Sequence, residues 1–174
     1  MKMSSIDEAL VPEILKYRGS LTRALKSVCS NFNIQSLSQS KQSPFYMREV
    51  LLCDGEPPLV WAKSYLFSAD RSTVSAFLGL DGRSLGEQLL FTGDSVSRGP
   101  YQFGVCSRGI GQFDSGYEFE KGIARLSKFS WHNHSTTLVL SEIFNENALA
   151  LLESREEEIH RNFTTYKSLI RIFS

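Results

Sequence analysis

YMREVLLC (Tyr46 to Cys53) runs into the turn DGEPP (Asp54 to Pro58) and back out through LVWAKSYLF (Leu59 to Phe67). Two β-rich runs split by a Gly/Pro cluster predict an antiparallel hairpin. Strand side chains alternate between faces. Arg48 therefore shares a face with Val50 and Leu52, and Met47, Glu49, Leu51 and Cys53 take the other. A second pair of strands is expected downstream, Ile123 to Trp131 and TLVLSEIF (Thr137 to Phe144), turning around His132 to Ser135. There Glu142 shares a face with Leu138 and Leu140.

Outward from these hairpins the pattern changes period. SLTRALKSV (Ser20 to Val28) has a serine able to cap a helix, then apolar residues at helical spacing. Ile34 to Pro44 is serine-rich and polar, a strand edge or loop. Short helical stretches are predicted at Ser72 to Gly79 and Arg83 to Phe91, and one strand over Ser95 to Arg108. Gly109 to Gly122 carries no periodic signal. Ala148 to Phe173 reads as a helix with Leu152, Ile159, Phe163, Tyr166, Ile170 and Phe173 on one stripe. That stripe fits a helix covering its own sheet, or one pairing with a second copy. Hairpin-length turns imply a mainly antiparallel sheet with helices on one face, an α+β fold in a single domain over 1–174.

The 174 residues carry 19 basic and 19 acidic side chains, so no field of one sign recruits nucleic acid or anionic lipid. An anionic ligand must be caught by a few placed cations. Three scattered cysteines, Cys29, Cys53 and Cys106, give no CxxC pair and no disulfide framework. Each reads as a buried structural thiol rather than a nucleophile. His132 and His134 lack a third ligand, so no metal is expected, and no GxGxxG follows a strand. The N-terminus has no signal-like apolar core and no run is long enough to span a bilayer, which points to a soluble, cytoplasmic monomer or weak dimer.

Arg48 and Glu142 are opposite charges on stripes that otherwise read as core. Burying a lone charge costs several kcal/mol, so each needs a partner, a solvated cavity or a ligand. On the residues alone, a structural Arg48–Glu142 ion pair or a misassigned exposed face accounts for the pattern as well as a binding site does.

Four motifs add to this: GSLTRAL (Gly19 to Leu25), MREVLLCDGEP (Met47 to Pro57), GRSLGEQLLF (Gly82 to Phe91) and LVLSEIF (Leu138 to Phe144). In this order and spacing, over about residues 19 to 144, the chain resembles the chorismate lyase family. That family shows an SLTRR-like helix start, a REVLL strand, a PLGE- or PLGR-like turn and an LLTE strand. The resemblance implies an antiparallel sheet with helices as flaps over an enclosed pocket, related to the UTRA ligand-binding fold. It also implies a cofactor-free lyase that splits chorismate into 4-hydroxybenzoate and pyruvate and feeds ubiquinone synthesis. The family's ligand-binding residues fall on Leu21, Arg48, Leu85 and Glu142, with Arg48 and Glu142 as the catalytic pair.

The residue types suit that chemistry. Arg48 can grip the ring carboxylate by a bidentate fork and Glu142 can bond the 4-hydroxyl. A second cation should meet the enolpyruvyl carboxylate, and Lys63 and Arg125 are the candidates at family arginine positions. The chain departs from the family at Leu126, Phe67 and Phe144-Asn145-Glu146, and in its glycine-rich middle segment. Two other functions remain open at this point: a non-catalytic UTRA-like module binding a small carboxylate, and a related enzyme acting on another aromatic or enolpyruvyl acid.

Overall fold

The computed structural model describes residues 4–91, 95–107 and 121–161. Its strands in chain order are β1 (Ser4–Ser5), β2 (Phe32–Gln42), β3 (Phe45–Asp54), β4 (Val60–Phe67), β5 (Val96–Arg98), β6 (Gln102–Ser107), β7 (Lys121–Trp131) and β8 (Thr137–Phe144). The α-helices are α1 (Glu13–Lys16), α2 (Leu21–Val28), α3 (Arg71–Leu78) and α4 (Glu146–Ser154), with a π-helical turn at Gly86–Leu90. Both expected hairpins form. Leu52 faces Val60 across β3 and β4, and Ser130 faces Thr137 across β7 and β8. Gly55 turns the first hairpin at a φ of +85°, a conformation that L side chains rarely adopt.

What unites the hairpins is the β4–β8 pairing, Ala62 opposite Glu142. It puts them at the centre of one antiparallel sheet, ordered β1-β6-β7-β8-β4-β3-β2, with β5 added against β7. The polar run after Ile34 is the long strand β2 at the sheet edge. The single strand expected over Ser95 to Arg108 is instead two, because Gly99-Pro100 interrupts it and proline has no N–H for a ladder.

The helices start where the sequence offers caps. Ser20 accepts from the Arg23 N–H at 3.3 Å, Asp70 from Thr73 at 2.7 Å and Asn145 from Ala148 at 2.8 Å. Their apolar sides join one core with Val50, Leu52, Leu66, Leu138 and Phe144, so the helices gather on one sheet face as expected. The opposite face holds a smaller cluster of Leu51, Cys53, Trp61, Cys106, Ala124 and Ile143. Strand β3 is thus buried on both sides.

The expected continuous C-terminal helix is interrupted, since α4 ends at Ser154 and the backbone is helical again over 156–161. Ala148, Leu152 and Ile159 are buried in the main core, so the described part covers the protein's own sheet. Phe163, Tyr166, Ile170 and Phe173 lie outside the described residues, as does most of Gly109 to Gly122. No described helix is long and apolar enough to cross a membrane.

Candidate active site

Residues directly opposite one another in a sheet share a face, so the registers build the site row by row. One row runs Arg48–Ser64–Leu140–Ser127 and the next Val50–Ala62–Glu142–Arg125. Arg48 and Glu142 therefore project from the same face, two strands and one row apart. At ordinary strand spacings that is about 12 Å between their Cα atoms. Ala62 and Ser64, between them, are too small to fill the gap.

The result is a pocket with about 540 Å³ unfilled by protein atoms, its mouth included. Val50, Ala62, Ser64 and Leu140 form the floor, and Ser20 to Thr22, Ser84 to Gly86, Leu90 and Phe91 form the roof. Leu21, Arg48, Leu85 and Glu142, the residues singled out from the sequence, all line it. Leu21 opens α2 and Leu85 precedes the π-helical turn, so both come from helical segments folded over the sheet.

Arg48 is 3% exposed and forms no ion pair among the described residues. Its Nη2 donates to the carbonyls of Asp81 at 2.6 Å and Arg83 at 2.9 Å. Asp81 sits at φ 46°, a left-handed position, and its turn aims these carbonyls at the guanidinium. The Nε–H is buried with no acceptor. Burial pushes the Arg48 pKa down to about 10, opposed by nearby Asp81, which leaves a cation at neutral pH. A desolvated guanidinium with an unused N–H has the chemistry to hold an anion.

Glu142 is not its partner, so the alternative of a structural Arg48–Glu142 ion pair falls away. Arg125, directly across the β7–β8 ladder, donates from Nε to Glu142 Oε2 at 2.8 Å, and its Nη2 lies 2.8 Å from the same oxygen. Arg125 also donates from Nη1 to the Leu15 carbonyl at 2.9 Å. The pair is buried, which the fixed hydrogen bonds make tolerable. Glu142 Oε1 makes no hydrogen bond to a described residue and is left for the pocket.

Neither cation expected to serve a second carboxylate is placed to do so. Arg125 is committed to Glu142 and does not line the pocket. Lys63 alternates with Ala62 and Ser64 and so takes the opposite sheet face, with its ammonium 5.4 Å from the Tyr65 ring centroid. The second cation at the pocket wall is Arg98, which the sequence reading passed over. Its signal was the break itself: Gly99-Pro100 ends the strand and leaves Arg98 on the face of Val96.

The cysteines and histidines stay outside the site. Cys53 and Cys106 pack in the smaller core, where burial pushes their thiols up. His134 shares a hydrogen bond with Thr136 and stacks on Trp131. Among the described residues no three His, Cys, Asp or Glu side chains are grouped to hold a metal.

The chain is similar to several known proteins. Its likeness to a solved structure, a possible transcriptional regulator from Bacillus subtilis, is loose: 10% identity and a TM-score of 0.43 over 68% of this chain and 59% of that one. Sequence relatives are nearer. A "probable chorismate pyruvate-lyase" of Shewanella loihica is 32% identical, over 81% of this chain and 82% of that protein. A protein of the same name from another Shewanella species is 31% identical over 72% and 75%. One from Pseudoalteromonas atlantica is 29% identical over 86% of each chain. The family model described as chorismate lyase matches residues 2–149, a longer stretch than the four motifs span. With the motifs, the pocket-bearing sheet and this match in agreement, the chain belongs to the chorismate lyase family.

Proposed function

We propose that the protein converts chorismate into 4-hydroxybenzoate and pyruvate, without metal or cofactor, in the pocket between Arg48 and Glu142. The observation that carries this reading is the buried Arg48 guanidinium with an unused Nε–H at one end of a narrow pocket and an open Glu142 oxygen at the other. A flat ring with a carboxylate at one end and a hydroxyl at the other suits that spacing. Arg48 holds the ring carboxylate, Glu142 accepts from the 4-hydroxyl, and Leu21 and Leu85 bound the ring from the roof.

In the reaction the C4–H bond breaks and its electron pair forms the C3–C4 double bond that completes the aromatic ring. The C3–O bond breaks with its pair on the enolpyruvyl oxygen, and the released enol takes a proton at carbon to become pyruvate. Aromatisation supplies the driving force. The protein's task is to hold the ring in a reactive pose and exclude water, with Glu142 near enough to C4 to help move the proton. The setting proposed is a cytoplasmic monomer or weak dimer, with the product feeding ubiquinone synthesis.

The test is incubation of purified protein with chorismate. Equimolar 4-hydroxybenzoate and pyruvate, formed equally well in EDTA, is the expected result. Chorismate left intact overturns the lyase reading, and activity abolished by EDTA and restored by a divalent metal overturns the cofactor-free one.

A further inference from the structure

We infer that Arg98 is a specificity residue that binds a second carboxylate, on a substituent next to the ring hydroxyl, and so separates a dianionic substrate from a monoanionic product. This deepens the lyase reading and rests on it. Arg98 lines the same pocket as Arg48 and repeats its signature: a shielded Nε–H with no acceptor. Its guanidinium is held by aromatic rings, with centroids at 4.6 Å for Phe129, 5.1 Å for Phe91 and 5.1 Å for Tyr101. Its Nη1 donates to the Arg18 carbonyl at 3.1 Å and to the Tyr101 hydroxyl. None of these partners is an anion, and Arg98 forms no ion pair among the described residues.

The location matters as much as the charge. Arg98 shares its row with Phe129 and Leu138, on the sheet face that carries Glu142, and both charges line the pocket. Burial lowers the Arg98 pKa, with Tyr101 and Glu142 opposing that. If Glu142 marks the ring hydroxyl, Arg98 is the pocket cation left to meet the carboxylate of the ether on the neighbouring ring carbon. Lys63 is on the wrong face for this role and Arg125 is engaged. Once the ether bond breaks, the second carboxylate leaves with the pyruvate half. Arg98 then loses its anion, while Arg48 keeps the ring carboxylate.

Two unreactive probes test this by calorimetry: 4-hydroxybenzoate, and 3-(carboxymethoxy)-4-hydroxybenzoate with a second carboxylate on the adjacent ether. Arg98→Met should weaken the dianion by at least about tenfold and leave the monoanion within about twofold. Arg98→Lys should recover part of the lost ratio. With chorismate, Arg98→Met should raise KM more than it lowers kcat. Should Arg98→Met not fold, the Arg98 Nε–H resonance of the wild type provides the readout. It should shift with the dianion and stay near its free position with the monoanion. Equal weakening of both probes, no weakening of either, or a resonance blind to the second carboxylate would overturn the inference. A wild type that turns over chorismate with no Arg98-dependent ratio sinks only this inference. One that binds the dianion through Arg98 yet leaves chorismate intact sinks only the lyase reading.

Discussion

Glu142 uses one carboxylate oxygen to neutralise Arg125 and keeps the other for the pocket, so it is both a structural anion and the proposed ring contact. Its substitution should read out in both roles. Removing one partner of a buried pair costs about 3–5 kcal/mol. Glutamine still accepts from Arg125, so Glu142→Gln should cost less, about 1–3 kcal/mol. We expect a fold that melts several degrees earlier by calorimetry and turns chorismate over at least about tenfold more slowly. Unchanged turnover in the folded variant would make Glu142 purely structural. At this scale Arg48 and Glu142 were legible because alternation sets each charge beside apolar neighbours on its own face, Val50 and Leu52 for Arg48 and Leu138 and Leu140 for Glu142. That Arg125, not Arg48, neutralises Glu142 was not, because it depends on the β7–β8 register, which alternation along one strand does not fix.

Elements with their own local signals were read from sequence, and those set by distant partners were not. Ser20, Asp70 and Asn145 each cap the helix they precede, and the DGEPP turn closed its hairpin. By contrast α1 and β1 carry little periodicity, yet the stretch from α1 to the start of α2 ties down the site. The Leu15 carbonyl holds Arg125 and the Tyr17 carbonyl accepts from Tyr101 at 2.8 Å. The interruption at Arg155 was also hidden, since the apolar stripe passes through it. Asn145 joins two elements: Oδ1 caps α4 and Nδ2 donates to the Pro58 carbonyl at 2.5 Å. Asn145→Ala should therefore cost about 1–2 kcal/mol, measured by urea unfolding. A loss no greater than that of an exposed surface substitution would show that α4 is held by packing alone.

For the molecule as a whole, the fold class followed from turn lengths, whereas the strand order did not. The β4–β8 pairing joins residues seventy or more positions apart, and no local pattern announces it. It is this pairing that brings Arg48 and Glu142 to one pocket. The C-terminal part then closes the same core, with Leu152 and Ile159 wholly buried. Truncation after Asn147 should expose that core, and the shortened protein should aggregate or melt early in light-scattering and thermal-melt experiments. A truncated protein that stays folded but changes from dimer to monomer would assign the segment to self-association instead.

The central claim is that the Arg48–Glu142 pocket is where the aromatic acid binds. Calorimetric titration of 4-hydroxybenzoate into the wild type and Arg48→Ala tests it most directly, with folding of both confirmed by circular dichroism. Cutting one partner from a desolvated charge pair costs about 2–5 kcal/mol, so affinity should fall by about thirtyfold or more, with Arg48→Lys between the two. An alanine variant that binds 4-hydroxybenzoate as tightly as the wild type would contradict the account.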